Sequence, residues 1–254
     1  KMYTKSELVV MPIALFVMIC VAIGLRIWLK NKSEKIQNIP FIVITALLWV
    51  GEIVKQILQL TSADGYNLWA IPLHFCSTYF IWFTLAEFTR GNFQKRMKSV
   101  AFVATFYLIV GMYIGPRDIL GGACDHIFAS FYTAHTFFFH HLVVQYALLT
   151  IAFKRFQPIK KDCFLCMICM ATYYVVALIV AHALKVNFFN LLYSNVGFME
   201  ALRVNAGQVV YTIVFGLITA FSGALFTGII LFFKEKGWEK FLKKGNKAKH
   251  NAGD

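Results

Sequence analysis

Charge is scarce in this chain. Charged side chains make up 15 % of its 254 residues and only 12 are acidic, where a soluble domain carries about a quarter. That excludes an ordinary water-soluble domain. Metal-ligand patterns are missing as well: there is no H-x3-H and no H-E-x-x-H. The six cysteines are Cys20, Cys76, Cys124, Cys163, Cys166 and Cys169. Only Cys124 falls in an outer loop, so no disulfide framework is expected. Cys163, Cys166 and Cys169 run as C-x2-C-x2-C, but an iron–sulfur run needs a further Cys where Tyr173 stands. They read as soft packing residues beside Met167 and Met170. No metal and no cofactor is expected. The last apolar run holds no lysine, which excludes a retinal Schiff base. No internal repeat is evident, and the chain reads as one transmembrane domain over 1–254.

What is present in quantity is apolar surface. Hydrophobic residues make up 59 % and aromatic residues 17 %, with mean hydropathy +0.65. Seven runs approach the length needed to cross a hydrocarbon core, about 20 residues: Leu8–Leu29, Ile39–Leu60, Ile71–Phe88, Val100–Ile114, Ile127–Phe153, Cys163–Leu184 and Gln208–Phe233. The fourth is the shortest and extends at most toward Leu120. The first is longer than a signal-peptide core and has no small-residue cleavage site before Arg26 and Lys30. The expected fold is an all-α, polytopic transmembrane helix bundle. The chain opens on Lys1, so trimming or a tag upstream is expected.

The net charge of +13 is distributed unevenly. Four segments on one side hold 4, 4, 4 and 7 lysines and arginines; those on the other hold 2, 0, 1 and 2. Arg26, counted with the first inner segment, lies near the end of the first run, and Lys55 alone sits deeper inside a span. By the positive-inside rule the N-terminus is outside and the C-terminus cytoplasmic. The alternation needs an odd number of spans and favours seven over six. It also accounts for the basic balance without nucleic acid. The tail over 234–254 mixes Trp238, Phe241 and Leu242 with lysines. It reads as a solvated positive-inside tail, with a lipid-lying segment as the alternative. A multi-pass plasma-membrane protein, in a bacterial inner or cell membrane, is the expected location.

Ionisable residues inside a membrane mark function by default. With this orientation they gather in the outer half. Glu52, Lys55, Gln56 and Gln59 are spaced by three and four and share one helix face. That stripe must meet protein or a water-filled cavity. A self-neutralising Glu52–Lys55 pair is the plain structural reading, and substrate gripping the functional one. Six of the seven histidines lie in or beside spans: His74, His126, His135, His140, His141 and His182. Interhelical hydrogen bonding explains any one of them. It explains the run His135-Thr136-Phe137-Phe138-Phe139-His140-His141 less well.

The sharpest pattern is Ile71-Pro72-Leu73-His74-Phe75-Cys76. Cysteine is the side chain best suited to form an acyl-enzyme. Pro72 suits a first helical turn, and residues two apart on a helix point to opposite sides. The partner of Cys76 is therefore expected from another span. His135 fits by depth, and His141 lies about 9 Å deeper along an ideal helix.

Glu52, the Pro72-Leu73-His74-Phe75-Cys76 motif, the run Phe137 to His141 and, more loosely, Asn187 to Tyr193 resemble the bacterial YwaF-like integral membrane family. Its animal relatives are cysteine-dependent phospholipid acyltransferases. The resemblance covers Ile39 to Phe233. It implies that Cys76 accepts a fatty acyl group from a phospholipid and passes it to a lysophospholipid. The family's histidine matches His141 or His140 by local pattern, whereas depth favours His135. His74 or Lys55 would stabilise the oxyanion. Glu52, His182 and Asn187 complete the supporting set. The rival reading is a transporter or binding protein for a lipid or small polar solute, built on Glu52, Lys55 and the histidines.

Overall fold

A computed structural model describes residues 3–233, so the basic tail over 234–254 lies outside the described residues. The fold is all-helical, with α1 (Lys5–Leu29), α2 (Glu34–Leu60), α3 (Tyr79–Phe88), α4 (Gly91–Ile114), α5 (Pro116–Leu120), α6 (Phe131–Ala152), α7 (Lys160–Leu184) and α8 (Gly197–Phe233). Five of these, α1, α2, α4, α7 and α8, are long and apolar enough to cross a membrane. The chain is a multi-pass membrane protein.

Local sequence explains the helix starts. Thr4 and Glu7 form a capping box on α1: the Glu7 amide donates to Thr4 Oγ1 at 3.1 Å and the Thr4 amide to the Glu7 carboxylate at 2.7 Å. Ser130 and Thr133 cap α6 in the same way. α6 is the central helix, packed by α1, α2 and α4. That burial lets it carry histidines and Gln145 without presenting them to lipid. Tyr146 of α6 stacks on Phe83 at 3.7 Å and meets the edge of Phe41 at 5.3 Å. α7 packs along α8 at two glycines. A Cβ on Gly223 would lie 3.2 Å from the Cys166 carbonyl oxygen, and one on Gly216 would lie 2.8 Å from the Tyr174 ring. Small residues let membrane helices approach this closely. Cys166 is fully buried at that contact, in keeping with a packing role.

Three elements depart most from the sequence reading. The run Ile71–Phe88 is not one helix. Residues 71–74 are irregular, Phe75–Thr78 form a 3-10 turn, and only Tyr79–Phe88 is α-helical. Pro72 holds Ile71 in an extended conformation, with ψ 132°, as a following proline favours. Irregular backbone inside a membrane protein is tolerated where protein satisfies it. Here the Tyr173 hydroxyl donates to the Leu73 carbonyl at 2.9 Å. The fourth helix extends backward to Gly91, not forward to Leu120. Its first turns lie beyond the apolar run, and Gly115-Pro116 ends it before the separate α5. The eighth helix begins at Gly197 but breaks at Gly207, where φ is +87°. The apolar part starts at Gln208, as the hydropathy predicts.

Candidate thiol and histidine site

The polar stripe of α2 organises the loop that leads to Cys76. Glu52 is buried and pairs with Lys55 at 2.9 Å. Gln56 Nε2 donates to Glu52 Oε1 at 2.7 Å and to the Ala70 carbonyl at 2.8 Å. The Tyr66 hydroxyl donates to Gln56 Oε1 at 2.5 Å. Burial, then the Glu52 carboxylate, pushes the Tyr66 phenol up, against the hydrogen bond to Gln56. Gln59 accepts from the Asn67 amide at 3.2 Å and donates to the Tyr132 hydroxyl at 2.8 Å. The stripe therefore meets protein, and it pins residues 66–70 over the mouth of α6.

This loop and the irregular segment after it bring His74 and Cys76 to the same place. His74 is the last extended residue before the 3-10 turn, with ψ 141°. Its ring lies 4.2 Å from Trp69 and 5.2 Å from Phe188. Because no regular helix holds them, the two side chains do not point to opposite sides. They line one cavity of about 390 Å³ together with Lys55, Gln59, Trp69, His135 and His140. A second cavity of about 540 Å³ shares Trp69, His74, Cys76 and Ile119 with the first and continues past Tyr107, Phe189 and Tyr193. Each lies in the size range of small-ligand sites.

The histidines separate into two groups. His74, His135 and His140 line the cavity; each of them, and His141 as well, has a buried Nε2 without a hydrogen-bond partner among the described residues. His140 Nδ1 lies 2.6 Å from the Thr136 carbonyl oxygen. A carbonyl only accepts, so Nδ1 carries the hydrogen, and in the neutral form of the ring Nε2 is left bare. That is the state of a general base. His141 makes the equivalent bond to Phe137 at 2.7 Å, but its ring packs on Phe137 at 4.0 Å and does not line the cavity. His182 is exposed in the last turn of α7, apart from both cavities. Asn187 lines the second cavity, yet its side chain holds a turn: Oδ1 accepts from the Leu192 amide at 2.8 Å and Nδ2 donates to the Tyr193 carbonyl at 3.0 Å. Glu52 lines neither cavity and is held by Lys55 and Gln56.

Trp69, Tyr132 and Tyr173 also shape the site and carried no signal in the sequence. Their roles depend on contacts across 100 residues in the case of Tyr173 and Leu73. The turn-rich stretch Ser62-Ala63-Asp64-Gly65-Tyr66-Asn67 was the one local hint that a structured loop precedes the motif.

The chain belongs to the TMEM164 family, whose model matches residues 2–227. This overturns the YwaF-like assignment. The Pro-Leu-His-x-Cys motif spans only Pro72 to Cys76, and the aromatic run from Phe137 is hydrophobic patterning of the kind any buried membrane helix can carry. No curated protein and no solved structure matches the chain.

Proposed function

We propose that the protein is a membrane-embedded phospholipid acyltransferase with Cys76 as nucleophile and His140 as general base. The observation that supports this is the cavity lined together by Cys76, His74, His135 and His140, the last with its Nδ1 committed to the Thr136 carbonyl. In the first half-reaction His140 Nε2 takes the thiol proton and the thiolate attacks an ester carbonyl of a phospholipid. The tetrahedral adduct collapses, the carbon–oxygen ester bond breaks, and His140 returns the proton to the departing lysophospholipid hydroxyl. A thioester remains on Cys76. In the second half, His140 deprotonates the hydroxyl of an incoming lysophospholipid, which attacks the thioester and releases the thiolate. Lys55 and His74 face the same space and would stabilise the two oxyanions. A cysteine between two cavities suits a substrate with two unlike parts. The larger, more aromatic cavity fits the acyl chain, and the cavity with Lys55, Gln59 and the histidines fits the glycerol and phosphate.

The charge alternation supports seven crossings with the N-terminus outside, the site toward the outer leaflet, and a plasma-membrane location. In this arrangement α3 and the segment before it form the third crossing and α6 the fifth.

Intact-protein mass spectrometry of phospholipid-incubated protein tests the mechanism. A fatty-acyl mass increment is expected on the native chain and not on Cys76→Ala. An unmodified native chain, with Cys76 no faster toward a maleimide than the other cysteines, would replace the acyltransferase reading with a transporter built on Glu52 and Lys55.

A further inference from the structure

The larger cavity at Cys76 has one wall that is held fixed and another that rests on a glycine. The fixed wall is Phe189, in the loop after α7. Its backbone is left-handed, with φ +50°, a conformation that a bulky residue keeps only where its surroundings hold it. Three rings do so: Phe75 at 5.5 Å, Tyr173 at 5.5 Å and Phe215 at 5.3 Å. The other wall is α4, which contributes Tyr107, Leu108, Gly111 and Ile114. Phe75, next to the thiol, meets Tyr107 at 5.2 Å. Gly111 lies one turn further along α4, about 6 Å on. The cavity thus runs along α4 away from the thiol.

Gly111 is where α5 meets this wall. The Gly115-Pro116 corner ends α4 and turns the chain. The buried Leu120 then anchors the short α5 against the bundle. Ile119 beside it lies on the bare backbone of Gly111: a Cβ there would sit 3.3 Å from Ile119 Cδ1 and 3.4 Å from Cγ1. Both residues line the larger cavity, and Ile119 also lines the smaller one, as do Trp69, His74 and Cys76. Ile119 therefore stands at the junction where a bound ester would be attacked. A side chain at position 111 would have to enter the acyl cavity or displace Ile119 at that junction.

We propose that Gly111 and Ile119 select the acyl chain: together they set the bore of the cavity, which admits long unbranched chains and excludes branched ones. The inference rests on the acyl-transfer reading. Gly111 leaves length free, because a chain leaving Cys76 passes bare backbone there. Ile119 limits width, because a methyl branch close to the carbonyl meets its side chain at the junction. Phe189, held by its three rings, does not retreat to make room. The selection is one of volume in an apolar pocket, where a single methylene is worth about 10–200-fold.

The test supplies the full chain, in mixed detergent micelles, with equal amounts of phosphatidylcholines carrying hexanoyl, palmitoyl or phytanoyl chains. Intact-protein mass spectrometry then reads the acyl increments that Cys76→Ala lacks. On the native chain palmitoyl is expected over the branched phytanoyl by about tenfold or more. Gly111→Leu should shift the hexanoyl-to-palmitoyl ratio toward hexanoyl by about tenfold. Ile119→Ala should raise the phytanoyl-to-palmitoyl ratio by a similar factor, a gain of substrate that misfolding does not produce. Gly111→Leu with Ile119→Ala should return the hexanoyl-to-palmitoyl ratio toward the native one, because the vacated space receives the new side chain. Increments on the native chain with ratios that ignore these substitutions would overturn the inference and leave the acyl-transfer reading standing. No increment from any of these lipids would remove the acyl-transfer reading and this inference with it.

Discussion

Gly51 on α2 lies directly against the imidazole of His135 on α6. A Cβ at position 51 would come within 3.2 Å of His135 Cδ2 and 3.5 Å of Nε2. The contact sets how far the His135 ring reaches into the thiol cavity. Gly51→Ala should therefore displace His135 by a few tenths of an ångström or more. His135 lines the cavity wall and takes no part in the proposed proton transfers, so the effect is expected through substrate placement, as a loss of about tenfold or less in acyl transfer. Gly24 has nothing within 4 Å of the equivalent position. Gly24→Ala should leave transfer unchanged and, in a helix interior, stabilise by about 0.5–1 kcal/mol. Equal rates for both variants would show that the contact does not position His135.

Adjacent histidines on α6 should behave differently. Both commit Nδ1 to a carbonyl of the preceding turn, but only His140 lines the cavity; His141 packs against Phe137 away from it. A general base contributes about 10²–10⁴-fold. His140→Ala should lose acyl transfer on that scale while the protein stays folded, and His141→Asn should retain it within about tenfold. Single-turnover acylation of Cys76 is the measurement. The reverse order would make His141 the base and require α6 to rotate on substrate binding.

The Glu87–Arg155 pair ties α3 to the end of α6. Glu87 also accepts from the Tyr146 hydroxyl at 2.6 Å. Its side chain is 2 % exposed and that of Arg155 is 11 %. Removing one partner of a buried pair costs about 3–5 kcal/mol, whereas replacing both with apolar residues is often tolerated. Glu87→Met should lower the thermal midpoint strongly. Glu87→Met with Arg155→Met should recover part of that loss, with Tyr146 limiting the recovery. Additive losses would mean that the two side chains act separately.

Cys124, in the loop between α5 and α6, serves as an internal reference for thiol reactivity. Burial, with help from Glu7 and Asp125, pushes its thiol up to about 11. A raised value means that the protonated form is favoured by the fold. The associated stability is present below the ordinary thiol range and is lost as pH rises through about 11. Maleimide labelling of Cys124 should be slow at neutral pH and rise about tenfold per pH unit until then, because only the thiolate reacts. Rapid labelling of Cys124 at pH 7 would show that the loop opens away from α1.

Much of the bundle was legible as hydropathy. The cores of α1, α2 and α7 and the part of α8 after Gly207 match the apolar runs closely, because a span of about 20 apolar residues has few other stable fates. α3 was misread for a specific reason. Hydropathy reports burial and not helicity, so Ile71–Thr78 looked like helix although Pro72 and the Tyr173–Leu73 bond hold it irregular. The same error placed His74 and Cys76 on opposite sides of a helix that does not exist there. Similarly, α4 began earlier than its apolar run because a helix can continue past the hydrocarbon on charged residues such as Lys95 and Arg96.

The candidate site residues themselves were visible. Cys76, His74, His135, His140, Glu52 and Lys55 stood out because polar groups are rare and costly in apolar sequence. The α2 stripe followed from helical spacing alone, since residues three and four apart share a face in any α-helix. By itself, then, the sequence determined an apolar helical membrane protein, its candidate site residues, and the alternation of basic charge between its segments. Which of those residues meet was decided only by tertiary structure. The separation of His140 from His141 and the partition at Cys76 between two cavities depend on contacts between segments far apart in the chain. Spacing along a helix fixes direction around its own axis; only packing fixes what stands opposite.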